Sequence, residues 1–140
     1  MGLAWTEHLS VGNAMIDSDH KKLITMVNGA EHLIKKRDCF GLSEAFVQIE
    51  HWLLIHFTNE EMIAQAVGFP FTQNKLEHEG VLKTLHLMRD AIASKNGVWN
   101  EEAAEHYSEF LSDWLIGHVI TEDMLMKPVL LAYPYDFKPV

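Results

Sequence analysis

Apolar side chains recur every three or four residues over four stretches of the chain, which is the period of an amphipathic α-helix. The longest of these stripes consists of Leu42, Phe46, Ile49, Leu53, His56 and Glu60. Its last two members are polar at positions where the pattern predicts burial. Because an unpaired imidazole or carboxylate is costly to bury, we expect His56 and Glu60 either to bond each other or to bind a metal ion.

The other three stripes each carry a histidine on the apolar face. They consist of His20, Leu23, Ile24, Val27, Ala30 and Ile34; of Asn74, His78, Val81, Leu85, Met88 and Ile92; and of Tyr107, Leu111, Trp114, His118, Thr121 and Leu125. Together with the start and stop signals they predict helices over 18–37, 42–66, 72–94 and 101–126. We expect Asp17 or Ser18 to cap the first helix and Thr72 the third, with Gly68 to Pro70 ending the second and Pro128 the fourth.

No segment alternates between apolar and polar residues as a strand does, so the pattern predicts an all-α fold. Short turns, among them Asn96-Gly97, favour an up-down-up-down four-helix bundle over 1–140, with an N-terminal extended arm over 1–17 and a tail over 128–140. Neighbouring helices of such a bundle run antiparallel. The polar members of the four stripes therefore lie at the same end of the predicted bundle.

Composition narrows the classes of protein without naming one. The chain has 140 residues, of which 48% are hydrophobic and 22% charged, as in a soluble single domain. A net charge of -9 without a basic tract argues against nucleic acid or an anionic membrane as a partner. The single Cys39 excludes an internal disulfide and suits the reducing cytoplasm. Nine histidines against one cysteine favour imidazole and carboxylate ligands for any metal.

Four core-facing histidines at one level, together with carboxylates, are hard to explain without a metal ion. The remaining histidines, His8, His32, His51, His86 and His106, fall outside the predicted cluster and read as surface or packing residues. One ambiguity concerns the carboxylate after His118. Helical spacing favours Glu122, four residues on, whereas Asp123, five residues on, would need a tilted side chain or a local widening of the helix.

Several motifs bear a specific likeness in order and spacing to one protein family. They are Trp5 with Leu9-Ser10-Val11-Gly12, Ile16-Asp17-Ser18-Asp19-His20-Lys21-Lys22-Leu23, His56-Phe57 to Glu60-Glu61, Gly68-Phe69-Pro70, and Trp114-Leu115-Ile116-Gly117-His118 to Asp123. With them the chain resembles the bacterial hemerythrins, whose four-helix bundle holds two O2-binding irons. The resemblance covers nearly the whole chain.

The resemblance implies a cofactor of two non-haem iron ions (Fe2+/Fe3+) joined by an oxo or hydroxo bridge. His20 and His56 would hold the iron that binds O2, and Glu60 and Asp123 would bridge both metals. His118 and two histidines of the third helix would hold the second iron. The family pattern thus selects Asp123 over Glu122. An apolar pocket that shields the O2 would include Leu23, Trp114, Leu115 and Val119.

The chain departs from the family at one proposed ligand. Where the family has His-x-x-x-His on the third helix, this sequence reads Asn74-Lys75-Leu76-Glu77-His78. His78 matches the second histidine, and Asn74 stands in place of the first. An amide oxygen is a weaker iron ligand than an imidazole, and water is an alternative ligand at that position. The second iron would then have a replaceable ligand, which puts stable oxygen carriage in doubt.

Three classes of function follow. The leading prediction is reversible O2 binding, without enzymatic activity, as an O2 or redox sensory domain whose output domain lies outside this chain; a free-standing O2 carrier or store is the alternative. NO and small anions are further candidate ligands. A carboxylate-bridged di-iron oxidase or peroxidase is disfavoured because no core-facing stripe carries Glu-x-x-His. A helical interaction domain without metal is the third class.

Overall fold

The computed structural model describes residues 4–94 and 101–139, and the predicted Asn96-Gly97 turn lies outside these ranges. Its helices are α1 (Ala14–Lys35), α2 (Cys39–Val67), α3 (Thr72–Ala93), α4 (Glu101–Glu109), α5 (Ile116–Met124) and α6 (Lys127–Leu130). A 3-10 turn (Glu7–Leu9) precedes α1, and a π-helical segment (Phe110–Leu115) joins α4 to α5. The described residues contain no strand, which confirms the all-α prediction.

Helix α1 begins at Ala14, earlier than the predicted residue 18. The reason is Asn13, whose side chain accepts hydrogen bonds from the backbone N–H groups of Met15 and Ile16 and thereby caps the helix. The predicted cap at Asp17 or Ser18 is therefore wrong. Asp17 instead lies inside the first turn of α1 and is buried.

The ends of α2 and the start of α3 follow local chain chemistry. Asp38 caps α2 by accepting from the Gly41 N–H, and Gly68 ends it in the left-handed conformation, with φ 74°. Thr72 is the first residue of α3, while Phe71 takes the capping position without a side-chain hydrogen bond. The predicted Thr72 cap is therefore wrong by one residue.

The π-helical segment changes which residues of the last helix face the core. A π turn holds about one residue more than an α turn, so the inward face moves by one position beyond it. Between residues 115 and 126 the buried positions are Leu115, Ile116, Val119, Ile120, Asp123 and Met126. The predicted inward positions Thr121 and Leu125 are exposed, which corrects the sequence-based stripe.

The helices enclose two apolar clusters. The main one lies where α1 packs on α2 and α4, and α2 packs on α3. The second forms around Val11, Ile63 and Met126, where the residues before α1 and the tail after α5 meet the end of α2. Across the part of the chain that the structure describes, every helix is too short or too polar to traverse a bilayer.

Candidate metal centre

Five buried polar side chains from four helices meet between the two apolar clusters. They are His20 on α1, His56 and Glu60 on α2, His78 on α3 and Asp123 on α5. Their ligand atoms fall into two groups of three, each within 4.8 Å of one another. We call the group of His20, His56 and Asp123 the His20–His56 half, and the group of Glu60, His78 and Asp123 the His78 half.

The His20–His56 half is compact. Asp123 Oδ2 lies 2.5 Å from His20 Nε2 and 3.0 Å from His56 Nε2. The second ring nitrogen of His56, Nδ1, lies 2.9 Å from Asp19 Oδ2. Both imidazoles therefore turn one nitrogen toward the same carboxylate oxygen, which is how two imidazoles and a carboxylate converge on one cation.

The His78 half is more open. His78 Nε2 lies 3.8 Å from Glu60 Oε1 and 4.0 Å from Asp123 Oδ1, both beyond hydrogen-bond distance. The Phe57 ring stacks on the His78 ring, with centroids 3.8 Å apart and planes 4° apart, and holds its orientation. This half has room for an ion between its donors.

Each of the two carboxylates serves both halves with different oxygens. Asp123 turns Oδ2 to His20 and His56 and Oδ1 to His78. Glu60 likewise has Oε2 3.3 Å from His56 Nε2 and Oε1 on the side of His78. A carboxylate with one oxygen toward each of two donor sets can bridge two metal ions.

Burial and close packing shift the ionisation of these groups. Burial, and then the charge of Asp123, raise the pKa of Glu60 well above its usual range. Burial lowers the pKa of His56, but the neighbouring carboxylates of Asp123, Asp19 and Glu60 raise it by more, so that it ends well above its usual value. Burial lowers the pKa of His78 to about 4. A metal ion requires neutral imidazoles and ionised carboxylates, so it would displace the protons of Glu60 and His56.

Unpartnered polar atoms show that the donor set fits metal ions. Buried atoms without a hydrogen-bond partner include both oxygens of Glu60, Oδ1 of Asp123, Nε2 of His78 and Nδ1 of His20. No lysine or arginine is among the buried residues of 4–94 and 101–139. Leaving such groups unpaired is costly, and imidazole nitrogens with carboxylate oxygens suit iron.

His118, the sixth predicted ligand, lies outside both halves. It is half-buried, its Nδ1 is 2.9 Å from the Trp114 carbonyl oxygen, and it lines a surface pocket of about 440 Å³ with Trp114. The π-helical segment ends before His118, so His118 and Asp123 are joined by regular α-helix. Their side chains, five residues apart, therefore point in directions about 140° apart around the helix axis. In the structure Asp123 faces the centre, and His118 lies to the side of it.

The predicted O2 pocket is brought together only in part. Leu23, Leu115 and Val119 are buried in the main apolar cluster. Trp114 is half-buried, stacks on Phe110 and lies beside His118 on the outer side of the helix, because the same shift of register turned it away. The five remaining histidines are all exposed, so of the two predicted alternatives they are surface residues and not packing residues.

Asn74 is buried at the edge of the His78 half, and its amide nitrogen lies 3.4 Å from the Glu122 carbonyl and 3.5 Å from Glu122 Oε2. Glu122 itself is half-buried and belongs to neither half. One residue that the sequence analysis missed is Asp19, the partner of His56. Its position directly before the proposed ligand His20 was the feature of the sequence that could have identified it.

Comparisons with known proteins agree with this geometry. Residues 11–132 match the family described as the hemerythrin HHE cation binding domain. The chain is 25% identical over 136 residues to the bacteriohemerythrin of Stenotrophomonas maltophilia, covering 96% of this chain and 86% of that protein. It is 24% identical over 122 residues to the bacteriohemerythrin of Pseudomonas aeruginosa (86% and 76%) and 25% over 127 residues to a hemerythrin-like protein of Naegleria gruberi (90% and 92%). With a carboxylate-bridged pair of donor sets at its centre and the family match over most of its length, this chain belongs to the hemerythrin family.

Proposed function

We propose that the chain binds O2 reversibly at two non-haem irons and serves as an O2 or redox sensory domain. Family membership implies oxygen binding at a di-iron centre. The observation that carries the proposal for this chain is the arrangement of Glu60 and Asp123, each with one oxygen toward each donor set. Two separate mononuclear sites would not need shared carboxylates.

The proposed ligands divide between the two irons. His20 and His56 would hold the first, His78 and His118 would hold the second, and Glu60 and Asp123 would supply oxygens to both. The resemblance to the family supports His118, whereas its half-buried position beside Trp114 does not, so His118 is the member of the set that most needs a test. The proposal also retains four helices running alternately up and down after an N-terminal arm, which is supported by the packing of α1 on α2 and of α2 on α3.

Bound iron would supply the chemistry, since each ferrous ion can give one electron to O2. The chain supplies the surroundings. Leu23, Leu115 and Val119 lie in the main apolar cluster and would exclude water from the inner side of the centre. The buried carboxylates neutralise the charge of the metals, and the stacked Phe57 and Trp52 rings hold His78 and His56 in place.

Asn74 supports the sensory role over carriage. A buried amide whose nitrogen approaches Glu122 lies where the family places an imidazole. Without that nitrogen Asn74 would leave a position at the second iron open to water or small anions, and a replaceable ligand would shorten the lifetime of the oxygenated protein. A short lifetime of the oxygenated protein suits a sensory domain and is a disadvantage for an O2 carrier or store.

The first experiment measures iron and the optical spectrum of the full chain, reduced without oxygen and then exposed to air. The expected result is about two irons per chain, since two donor sets share their carboxylates, and a spectrum that changes on exposure to O2 and recovers when O2 is removed. Zinc as the only bound metal, or a spectrum indifferent to O2, would refute the proposal.

The sensory role is tested separately with Asn74→His. Restoring an imidazole should slow the autoxidation of the oxygenated protein at equal iron loading, because the second iron gains a stable donor. Lys75→His, an exposed neighbour on the same helix, is the matched control and should leave the rate unchanged. Equal rates for Asn74→His and the unmodified chain would favour a carrier or store.

A further inference from the structure

Asp19 touches a proposed iron ligand and has no part in the functions assigned so far. Its Oδ2 lies 2.9 Å from His56 Nδ1, across the interface between α1 and α2. The Asp19 side chain is 21% exposed, whereas that of His56 is fully buried. On the opposite edge of the same ring, Nε2 faces Asp123 Oδ2 and Glu60 Oε2. The two ring nitrogens therefore meet carboxylates with different surroundings.

The chemistry of imidazole makes that difference matter. A neutral imidazole carries one N–H, and a metal binds the nitrogen that lacks it. An ionised carboxylate accepts hydrogen bonds and donates none. Asp19 therefore favours the tautomer with its N–H on Nδ1, which leaves the Nε2 lone pair directed at the centre. The other tautomer would set the Nδ1 lone pair against the Asp19 carboxylate.

We propose that Asp19 is a positioning residue of the metal centre: it fixes the tautomer and ring orientation of His56, so that Nε2 is free to bind iron, and it strengthens this imidazole as a donor. The inference rests on the proposed di-iron function. A carboxylate hydrogen-bonded to a ligating histidine acts in this way in metal sites generally. Trp52 supports the same orientation, since its ring stacks on His56 with centroids 5.6 Å apart and planes 7° apart.

The two histidines of this half are not equivalent. His20 Nδ1 is buried without a partner, so no carboxylate directs that ring from behind. His56 alone of the pair is held from both edges. Removing Asp19 should therefore act on His56 and leave His20 as it is.

A plain surface ion pair is the competing explanation, and the chain offers a matched example of one. His86 Nδ1 lies 3.2 Å from Glu50 Oε1, also across two helices, but its side chain is 48% exposed and neither residue belongs to a donor set. Glu50→Gln removes the carboxylate charge from that pair. It is the control for the same change at Asp19.

The experiment measures Fe2+ affinity of the full chain without oxygen, by competition with a chromophoric chelator. We expect Asp19→Ala to weaken binding by about 10–100-fold, the usual effect of losing such a partner. Asp19→Asn keeps an acceptor oxygen without the charge and should lose less, and Asp19→Glu should recover part of the loss. Glu50→Gln should leave the affinity unchanged.

A second readout follows the His56 ring itself by nitrogen-edited NMR of the chain loaded with Zn2+, which is diamagnetic. The unmodified chain should show a His56 Nδ1–H that exchanges slowly with water. In Asp19→Ala this proton should exchange fast, and in Glu50→Gln it should not change. A role in stability alone would lower the free energy of unfolding without moving either readout.

Each outcome decides the proposal. Unchanged Fe2+ affinity with an unchanged His56 N–H overturns it, as does a loss of stability alone. If Asp19→Ala does not fold, the Asn and Glu variants carry the same test. A chain that takes up Zn2+, loses its slow Nδ1–H on Asp19 replacement and yet binds no iron would refute the di-iron function while supporting the role of Asp19. A chain that binds neither metal refutes both.

Discussion

Asp17 and Asp123 are two fully buried aspartates on helices of the same domain, yet their surroundings differ in kind. Asp17 receives three hydrogen bonds: from Ser10 Oγ at 2.5 Å, the Val11 N–H at 2.9 Å and Tyr135 Oη at 2.7 Å. Asp123 bonds histidines through Oδ2, while its Oδ1 is buried without a partner.

The difference separates a structural acid from a ligand. A buried carboxylate whose oxygens are filled by protein donors is satisfied, and at Asp17 the donors tie the segment before α1 to the tail. A buried carboxylate with an unpartnered oxygen, beside a second carboxylate and facing imidazoles, is suited to bind a cation. Completeness of hydrogen bonding, more than burial, distinguishes the two.

The largest expected effect is that of Asp123→Ala. Because both halves share this carboxylate, we expect iron binding to be lost from both, measured as iron per chain after loading and desalting. Glu122→Ala, the neighbouring half-buried carboxylate outside both halves, is the control and should keep its iron. If Glu122→Ala is the variant that loses iron, the register set by the π-helical segment is not that of the iron-loaded protein.

Asp17→Ala should do the reverse. Losing a carboxylate with three donors should lower the free energy of unfolding by on the order of 3 kcal/mol, since hydrogen bonds to a charged group are stronger than neutral ones. Iron per chain should stay the same. Urea denaturation measures the first effect, and Asp136→Ala, an exposed residue of the tail, is the control. Loss of iron together with an unchanged unfolding curve would contradict the structural role.

His118→Ala tests whether a side chain with a hydrogen-bond partner can still be a ligand, because His118 Nδ1 has the Trp114 carbonyl oxygen as its partner. We expect a partial loss of iron that is confined to the second metal, with the His20–His56 half still loaded. His106→Ala, which removes an exposed histidine from the same surface pocket, should have no effect. Complete loss of iron would place His118 on a par with Asp123, whereas full retention would remove it from the ligand set.

The smallest effect concerns pH. The hydrogen bond to Asp17 raises the pKa of Tyr135 to about 12. The folded protein thus holds this proton more tightly than the unfolded chain, so its contribution to stability is present below about pH 10 and is lost as pH rises through about 12. Tyr135→Phe should remove this part of the pH dependence, and the effect is small because Tyr135 is 52% exposed. If the free energy of unfolding of the two proteins has the same pH dependence up to pH 12, the hydrogen bond from Tyr135 to Asp17 does not contribute to stability.

The sequence by itself determined the helices and most of the buried polar residues. Leu42 to Glu60 repeats at helical spacing, and Gly68 ends α2 in the conformation that glycine favours, so those elements follow from local chemistry. The same repeat predicted that His20, His56, Glu60 and His78 are buried. Period and turn chemistry are properties of neighbouring residues, which is why they can be recognised without a structure.

Tertiary structure alone decided the rest. Nothing local distinguishes Asn13 from a turn residue or Asp17 from a cap, because the partners of Asp17 include Tyr135 at the far end of the chain. Helical spacing alone favoured Glu122, and only the family resemblance selected Asp123. The burial of Asp123 and the outward turn of His118 both follow from the π-helical segment, whose extra residue shifts every later side chain by one position. The segment packs on α1 and α5 packs on α3, and a helical period read from the sequence does not show where such a segment lies.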